Sequence, residues 1–309
     1  MAVPPDVRLK LERAGYRLIG RHKHSAVKVC HWTKKSLLDR GVCYKEQFYS
    51  EELGIRSHQC LQFTPSLPFC DHRCVFCWRD TSLTSSRWFG DPDEPGDIID
   101  EGIAAQRVLL SGFGGNPDVN KRKFEEAQNP KHCAISLAGE PTMYPKISDL
   151  IEECHRRRMT SFLVTNGQHP DVLERLTAPT QLYISMVAPD QDTYEKVCQP
   201  VRPGGWERFN ESLELMSSFS CRKVIRLTLV KGLNLRDPAG YARMIGRTDA
   251  DFVELKAYMF VGFSRKRLKM ENMPSHREIK TFAEELAREL GFSVADESDQ
   301  SRVVLLRRT

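Results

Sequence analysis

The stretch Cys70-Asp71-His72-Arg73-Cys74-Val75-Phe76-Cys77 sets three cysteines at spacings of three and two residues within a short polar turn. Leu61-Gln62-Phe63-Thr64 ahead of it reads as the end of a strand, and Pro65 and Pro68 break regular structure between the two. Thiolates crowded this closely suit a metal, and cysteine thiolates are what hold iron–sulfur clusters. Three ligands on a four-iron cube leave one iron open, and an open iron can bind a small molecule. A zinc site is the competing reading. Structural zinc sites take four ligands and favour paired Cys-x2-Cys units, and a three-cysteine loop departs from both habits.

A loop of this spacing leaving a strand resembles the signature of the radical S-adenosylmethionine (SAM) enzymes. The resemblance implies that the amino and carboxylate groups of SAM chelate the open iron. It also implies that an electron from the cluster splits the sulfonium to give a 5′-deoxyadenosyl radical. Such chemistry belongs to the cofactor, while the protein positions and shields it.

The totals agree with an enzyme of this kind. The 309 residues give room for one large domain or two ordinary ones, with a sizeable core. Hydrophobic content of 40% against 28% charged residues is that of a soluble globular protein. No apolar run reaches the roughly 18 residues of a membrane span, and Met1-Ala2-Val3-Pro4-Pro5 has no apolar signal core. A cytoplasmic protein without membrane contact is expected. Ten cysteines in such a chain fit metal-bound thiolates in a reducing compartment better than a disulfide framework. Residues 1–50 hold 11 Lys/Arg and 4 Asp/Glu, a balance of +7, whereas the remainder balances to −2. A basic front on a near-neutral body points to a polyanion, most simply nucleic acid; a solvated basic face is the plainer alternative.

Three regions are expected: a basic N-terminal extension over residues 1–57, an α/β body over 58–291, and a hairpin or tail over 292–309. In the extension, residues 7–16 read as a helix and 27–30 alternate as a strand. Cys30, Cys43 and Cys60 have twelve and sixteen residues between them, spacings that identify no metal and suit core cysteines. Lys45 stands among aromatics in Cys43-Tyr44-Lys45-Glu46-Gln47-Phe48-Tyr49. A lysine so placed, with a lowered pKa, would be an amine nucleophile toward a carbonyl; a surface lysine is the ordinary alternative.

From residue 58 strands and helices alternate. Strands are expected at 58–64, 132–137, 161–165, 181–186, 223–230 and 251–258. Helices are expected at 97–110, from Pro145, and at 171–176, 191–197, 206–219 and 238–245. The apolar set Ile147, Leu150, Ile151 and Cys154 has the i, i+3, i+4, i+7 spacing of a helix face. A last helix over 277–290 carries a Ser275-x-x-Glu278 capping box and ends at Gly291. Six strand–helix units imply a parallel sheet, either doubly wound or curled into an incomplete (β/α)6 barrel. Parallel barrels gather their sites at the C-terminal strand ends, where the cysteine loop lies. The incomplete barrel that radical SAM enzymes share is therefore the expected fold.

Further sites follow from that frame. Ser136-Leu137-Ala138-Gly139-Glu140-Pro141-Thr142 closes the second strand and resembles the Gly-Gly-Glu-Pro-like turn that holds the SAM amino group, with Ala138 in place of the first glycine. Thr165-Asn166-Gly167 and Ser185-Met186 close the third and fourth strands, so Asn166 and Ser185 offer small polar groups to a ribose or methionine part. Glu254 and Lys256 alternate to one side of the sixth strand, with a buried ion pair as the plain reading. Ser111-Gly112-Phe113-Gly114-Gly115-Asn116 reads as a flexible connection rather than a phosphate loop. Lys121-Arg122-Lys123, Arg156-Arg157-Arg158 and Arg265-Lys266-Arg267 could meet phosphates or water.

The whole chain resembles the tRNA 4-demethylwyosine synthases of wyosine-base formation. The resemblance rests on Cys70-x3-Cys74-x2-Cys77 with Phe76, the tail Cys77-Trp78-Arg79-Asp80, the segment 136–145, and Cys30, Cys43 and Cys60 upstream. It implies two four-iron clusters, the second on Cys30, Cys43 and Cys60, and a Schiff base between Lys45 and pyruvate. The implied substrate is N1-methylguanosine 3′ of the anticodon in phenylalanine tRNA. The deoxyadenosyl radical removes a hydrogen from the N-methyl group, the carbon radical adds to pyruvate, and ring closure with loss of the carboxyl carbon gives 4-demethylwyosine. The eukaryotic members add a flavodoxin-like domain, so an external donor such as a flavodoxin or ferredoxin is implied. Rival readings are a radical SAM enzyme with an auxiliary cluster acting on a peptide or small molecule, and a zinc-bearing RNA-binding module without enzymatic activity.

Overall fold

The computed structural model describes residues 3 and 5–309. Met1, Ala2 and Pro4, on which part of the expectation of no signal core rests, lie outside them. The chain forms two compact units: Met1–Phe69 with Arg87–Leu163 and Leu176–Thr180, and Cys70–Ser86 with Val164–Arg175 and Gln181–Thr309.

In the first unit, α1 (Pro5–Arg13) is shorter than the expected 7–16, because Gly15 takes φ +86° and Tyr16 N returns to Leu11 O at 3.0 Å. The strands β1 (Arg17–Ile19) and β2 (Ser25–Val27) form an antiparallel pair. The strand expected at 27–30 thus ends at Val27, and Cys30 instead begins a helix, α2 (His31–Leu37). A second helix that periodicity misses, α3 (Tyr44–Leu53), follows Cys43. Neither carries an apolar stripe: α2 buries Thr33, Ser36 and Leu37, and α3 buries Tyr44 and Tyr49. After a 3-10 turn at Ser57–Gln59 comes β3 (Cys60–Thr64), then α4 (Pro95–Leu110), which opens on a proline whose missing N–H costs a helix nothing. The stretch expected to be flexible is a 3-10 turn, Ser111–Phe113, leading to α5 (Lys121–Ala127). Phe113 packs with Phe124 on the buried cluster of Val29, Leu37, Leu110 and Ala127, which holds this connection down. The unit continues with β4 (His132–Ile135), α6 (Ile147–Arg156) and β5 (Thr160–Thr165). Ile147, Leu150, Ile151 and Cys154 of α6 are all buried, as their spacing requires. The N-terminal strands join the sheet edge, β2 antiparallel to β3, while β3, β4 and β5 run parallel.

The second unit has α7 (Pro170–Leu173), β6 (Gln181–Ser185), α8 (Gln191–Cys198), α9 (Gly205–Glu214) and β7 (Arg222–Leu229). It goes on through α10 (Pro238–Ile245), β8 (Phe252–Ala257), α11 (His276–Leu290), β9 (Phe292–Ser298) and β10 (Val303–Arg308). The helix expected at 206–219 ends sooner and finishes as a 3-10 turn at Leu215–Ser218. Strands β6, β7 and β8 run parallel, and the β9–β10 hairpin adds antiparallel through β10. The capping box of α11 is formed by Ser275 and Glu278, and Gly291 closes it at φ +68°. Glu254 on β8 is fully buried and meets Arg226 of β7 at 2.9 Å, while Arg226 lies 4.2 Å from the Tyr183 ring centroid. Glu254 is thus in a buried ion pair with Arg226 of the neighbouring strand, a residue that the expectation built on Glu254 and Lys256 did not name. The six expected parallel strands are β3 to β8, and the loops after β3, β4, β5 and β6 are those that carry the expected sites.

Candidate active site

In the first unit, a pocket collects Cys30, Cys43, Cys60 and Lys45, with Trp32, Ile55, Ala134 and Phe162 among its walls. Sequence spacing could not show this convergence, because the fold makes it. Cys30 and Cys43 are the N-cap residues of α2 and α3, both with extended backbone, and Cys60 is the first residue of β3. Lys45 is the second residue of α3, and its Nζ stands 4.9 Å from the Phe162 ring centroid. A polar frame that includes the pocket-lining Thr33, Ser57 and His132 fixes these segments. Glu46 accepts from Ser57 N and Oγ, both at 2.6 Å, Ser57 Oγ accepts from Cys43 N at 2.8 Å, and Thr33 Oγ1 donates to Ser57 O at 2.9 Å. Arg56 N donates to His132 Nε2 at 3.1 Å. Burial pushes the Cys60 thiol up, with the Cys30 and Cys43 thiols adding to it and Lys45 opposing it. Three thiols, one amine and apolar walls form a donor set that fits an iron–sulfur group with an amine beside it.

The turn after β4 packs under the segment that follows β3. Gly139 has φ +74°, and a Cβ there would meet Ser66 O at 1.9 Å, so this position requires glycine. Ala138 O accepts from Thr64 Oγ1 at 2.5 Å, and Glu140 N donates to Phe69 O at 2.7 Å. The Glu140 carboxylate is 2% exposed and accepts from Thr142 N and Oγ1 at 3.1 and 2.7 Å.

In the second unit, the cysteine loop is held by backbone bonds. Cys77 N donates to Cys74 O at 3.0 Å, Arg73 N to Cys198 O at 3.0 Å and Val75 N to Val197 O at 2.9 Å. Asn166 Nδ2 lies 3.8 Å from Cys70 Sγ, which joins two of the expected site residues. Ser185 ends β6 and is half-buried. Asp71, 1% exposed, meets His169 Nε2 at 2.6 Å. His72 Nε2 and Tyr194 Oη are 2.7 Å apart, and burial pushes the His72 imidazole down to about 4, so it is neutral at neutral pH. Cys74, Cys198 and His72 place ligand atoms within 4.8 Å of one another, and the Cys74 thiol is raised first by its bond to Cys198 and then by burial. Thiolates on separate corners of a cube stand farther apart than the ligands of a single ion. The loop's three thiols, none of them in a disulfide, fit a cluster by donor chemistry. His72, His169, Tyr194 and Cys198 escape a sequence reading because each acts across a long chain separation.

Residues 64–245 match the radical SAM superfamily, and residues 247–308 match the wyosine base formation family. The tRNA 4-demethylwyosine synthase of Pyrococcus abyssi is 50% identical over 312 aligned residues, which cover 99% of this chain and 90% of that one. The chain belongs to the tRNA 4-demethylwyosine synthase family. A solved structure of TYW1 with a lysine–pyruvate adduct bound matches with a TM-score of 0.88 and 37% identity, covering 99% of this chain and 97% of that one. Human TYW1 is 39% identical over 98% of this chain and 41% of its own length.

Membership carries the incomplete radical SAM barrel, and with it the SAM and iron–sulfur cofactors. It removes the zinc-module reading. The basic triplets divide in the structure of this family member. Arg156 and Arg157 pair with Glu153, and Arg157 also with Asp100, so these two meet carboxylates. Lys123 meets Asp39 at 2.6 Å and Arg122 meets Glu126 at 2.9 Å. Arg267 turns onto the cysteine loop. No helix among the described residues is long and apolar enough to cross a membrane.

Proposed function

We propose that this chain condenses N1-methylguanosine, 3′ of the anticodon in phenylalanine tRNA, with pyruvate to give 4-demethylwyosine in the cytoplasm. The observation that carries this reading is the single pocket shared by Lys45 and the thiols of Cys30, Cys43 and Cys60, in a chain 37% identical to a TYW1 that holds a lysine–pyruvate adduct. Cys70, Cys74 and Cys77 hold one four-iron cluster and the Cys30 set holds a second. Bound SAM supplies the radical that takes a hydrogen atom from the N-methyl group.

The residues of the chain do the rest. Lys45 Nζ attacks the keto carbon of pyruvate, water leaves, and an imine holds the substrate by its side chain. The apolar walls at Trp32, Ile55 and Phe162 limit water around that amine. Ala138, Gly139 and Glu140 hold the SAM amino group, while Asn166 and Ser185 position its remaining polar parts. The methylated base leaves its stack to reach the site, and basic residues of the N-terminal region hold the RNA backbone. A flavodoxin or ferredoxin supplies the electron.

Reduced protein incubated with SAM, pyruvate and N1-methylated tRNA is expected to yield a tricyclic nucleoside by mass spectrometry, and Lys45→Arg is expected to abolish it. Cluster-replete protein that cleaves SAM yet forms no such nucleoside would contradict the reading.

A further inference from the structure

Within the second unit, the segments that carry His72, Cys74 and Cys198 run side by side. Val201 N donates to Asp71 O at 2.8 Å, Arg73 N to Cys198 O at 3.0 Å and Val75 N to Val197 O at 2.9 Å, and His72 forms an antiparallel bridge with Pro200. This pairing sets Cys74 against the end of α8, whose last residue is Cys198. His72 and Cys198 are buried. Among the described residues, these three side chains are the one group of His, Cys, Asp or Glu whose ligand atoms all lie within 4.8 Å of one another. A polar network also orients the imidazole. Gln168 Oε1 accepts from Arg208, which fixes the amide, and Gln168 Nε2 donates to Tyr194 Oη at 2.8 Å. Tyr194 Oη in turn donates to Gly205 O at 3.2 Å. Its remaining contact, 2.7 Å to His72 Nε2, is then an N–H given by the imidazole, and Nδ1 keeps its lone pair. Metal-binding histidines are oriented in this way, with the second ring nitrogen donating to a fixed acceptor.

We propose that His72, Cys74 and Cys198 form a site for a single zinc-class divalent cation in the chain before its cluster is loaded, and that this cation excludes the cluster because both need Cys74. Thiolate and imidazole donors select zinc-class cations over magnesium or calcium, which take oxygen. Two thiolates and a neutral imidazole cancel the cation's charge, so the filled site buries no net charge. Three protein ligands leave the fourth tetrahedral position to water. Binding releases the two thiol protons to solvent, and no electron moves. The site stands on its own geometry; only its effect on cluster loading rests on the reading of Cys70, Cys74 and Cys77 as cluster ligands.

The test titrates Co2+, the coloured stand-in for Zn2+, into the iron-stripped, reduced full chain. A tetrahedral Co2+ spectrum with thiolate charge transfer is expected in the parent, in Cys43→Ala and in Cys77→Ala, and one equivalent of it is expected to vanish in Cys198→Ser. Tyr194→Phe, which removes the acceptor for His72, is expected to weaken binding roughly 10–100-fold. X-ray absorption at the zinc edge, on Cys43→Ala carrying one Zn2+ per chain, is expected to show two sulfurs with imidazole nitrogen, which checks the ligands without altering them. Spectra that Cys198→Ser leaves unchanged, or three or more sulfurs on the zinc, would overturn the site. The chain is then loaded with iron and sulfide. One Zn2+ added beforehand is expected to lower iron per chain by about half in the parent and to have no effect in Cys198→Ser. Equal loading of the parent with and without zinc would overturn the exclusion. A parent that takes up no iron on the loop, with zinc or without, would overturn the cluster reading instead.

Discussion

Arg267 Nε donates to the carbonyl oxygen of Val75 across 3.1 Å. Its terminal nitrogen also donates to the carbonyl of Cys77, so one guanidinium fork spans two carbonyls of the cysteine loop. The grip continues upstream, where Phe263 N donates to Trp78 O at 2.9 Å. Gly262 takes φ +59° there, and a Cβ on it would meet Trp78 O at 2.4 Å. This segment falls within the region that matches wyosine base formation. The part of the chain that marks its family thus fastens the loop on which the superfamily chemistry rests.

Replacing Arg267 tests that fastening. Arg267→Ala removes both charged donors, and hydrogen bonds of this kind contribute about 1.5–3 kcal/mol each when buried. Arg267→Lys restores charge but not the planar fork, and is expected to rescue only part of the loss. Iron per chain is the measurement: about half is expected to go in Arg267→Ala, with the Cys30, Cys43 and Cys60 share retained.

Gly139→Ala forces a Cβ against Ser66 O at a backbone angle that favours glycine. Residues held in such strained conformations cost of order 1–3 kcal/mol, before any clash is relieved. The turn at Ala138–Glu140 is expected to shift and SAM affinity, read by equilibrium dialysis, to fall at least about tenfold, the equivalent of ~1.4 kcal/mol. Iron content is expected to stay at the parent value.

Arg226→Met leaves the Glu254 carboxylate buried without its guanidinium partner. Breaking a buried pair from one side costs about 3–5 kcal/mol, whereas exchanging both partners for apolar residues is often close to neutral. Denaturant unfolding should show a large loss for Arg226→Met and a smaller one for Arg226→Met with Glu254→Leu.

The Glu278 carboxyl is pulled down to about 2, first by Lys231 and then by the Ser275 backbone N–H at the start of α11. Its folded pKa is below the 4.5 of a free glutamate, so the folded state binds fewer protons between those values. The stabilisation is therefore complete above about 4.5 and is lost as pH falls toward 2. Solvent around this pair keeps the effect small. Melting curves from pH 5 to pH 2 should fall less steeply for Glu278→Gln than for the parent.

The parallel frame was legible where periodicity is clean. The buried face of α6 and the capped, amphipathic α11 follow directly from spacing and cap residues. The N-terminal helices were not legible, because α2 and α3 bury threonine, serine and tyrosine in place of an apolar stripe. The cysteine loop declares itself within eight residues. Cys30, Cys43 and Cys60 do not, since two helix starts and a strand start collect them, and only the family resemblance joined them beforehand. Arg267 looked like one cation of a surface triplet, and its bonds to Val75 and Cys77 reach across roughly 190 residues of sequence.

The central claim is that the three thiols of the loop leave one iron corner for SAM, while a separate thiol set serves Lys45. Electron paramagnetic resonance of the dithionite-reduced protein, with and without SAM, tests it in the parent and in Cys43→Ala. The account predicts a signal that changes on adding SAM in both proteins, with about half the iron missing from Cys43→Ala. A parent signal that SAM leaves unchanged would contradict it.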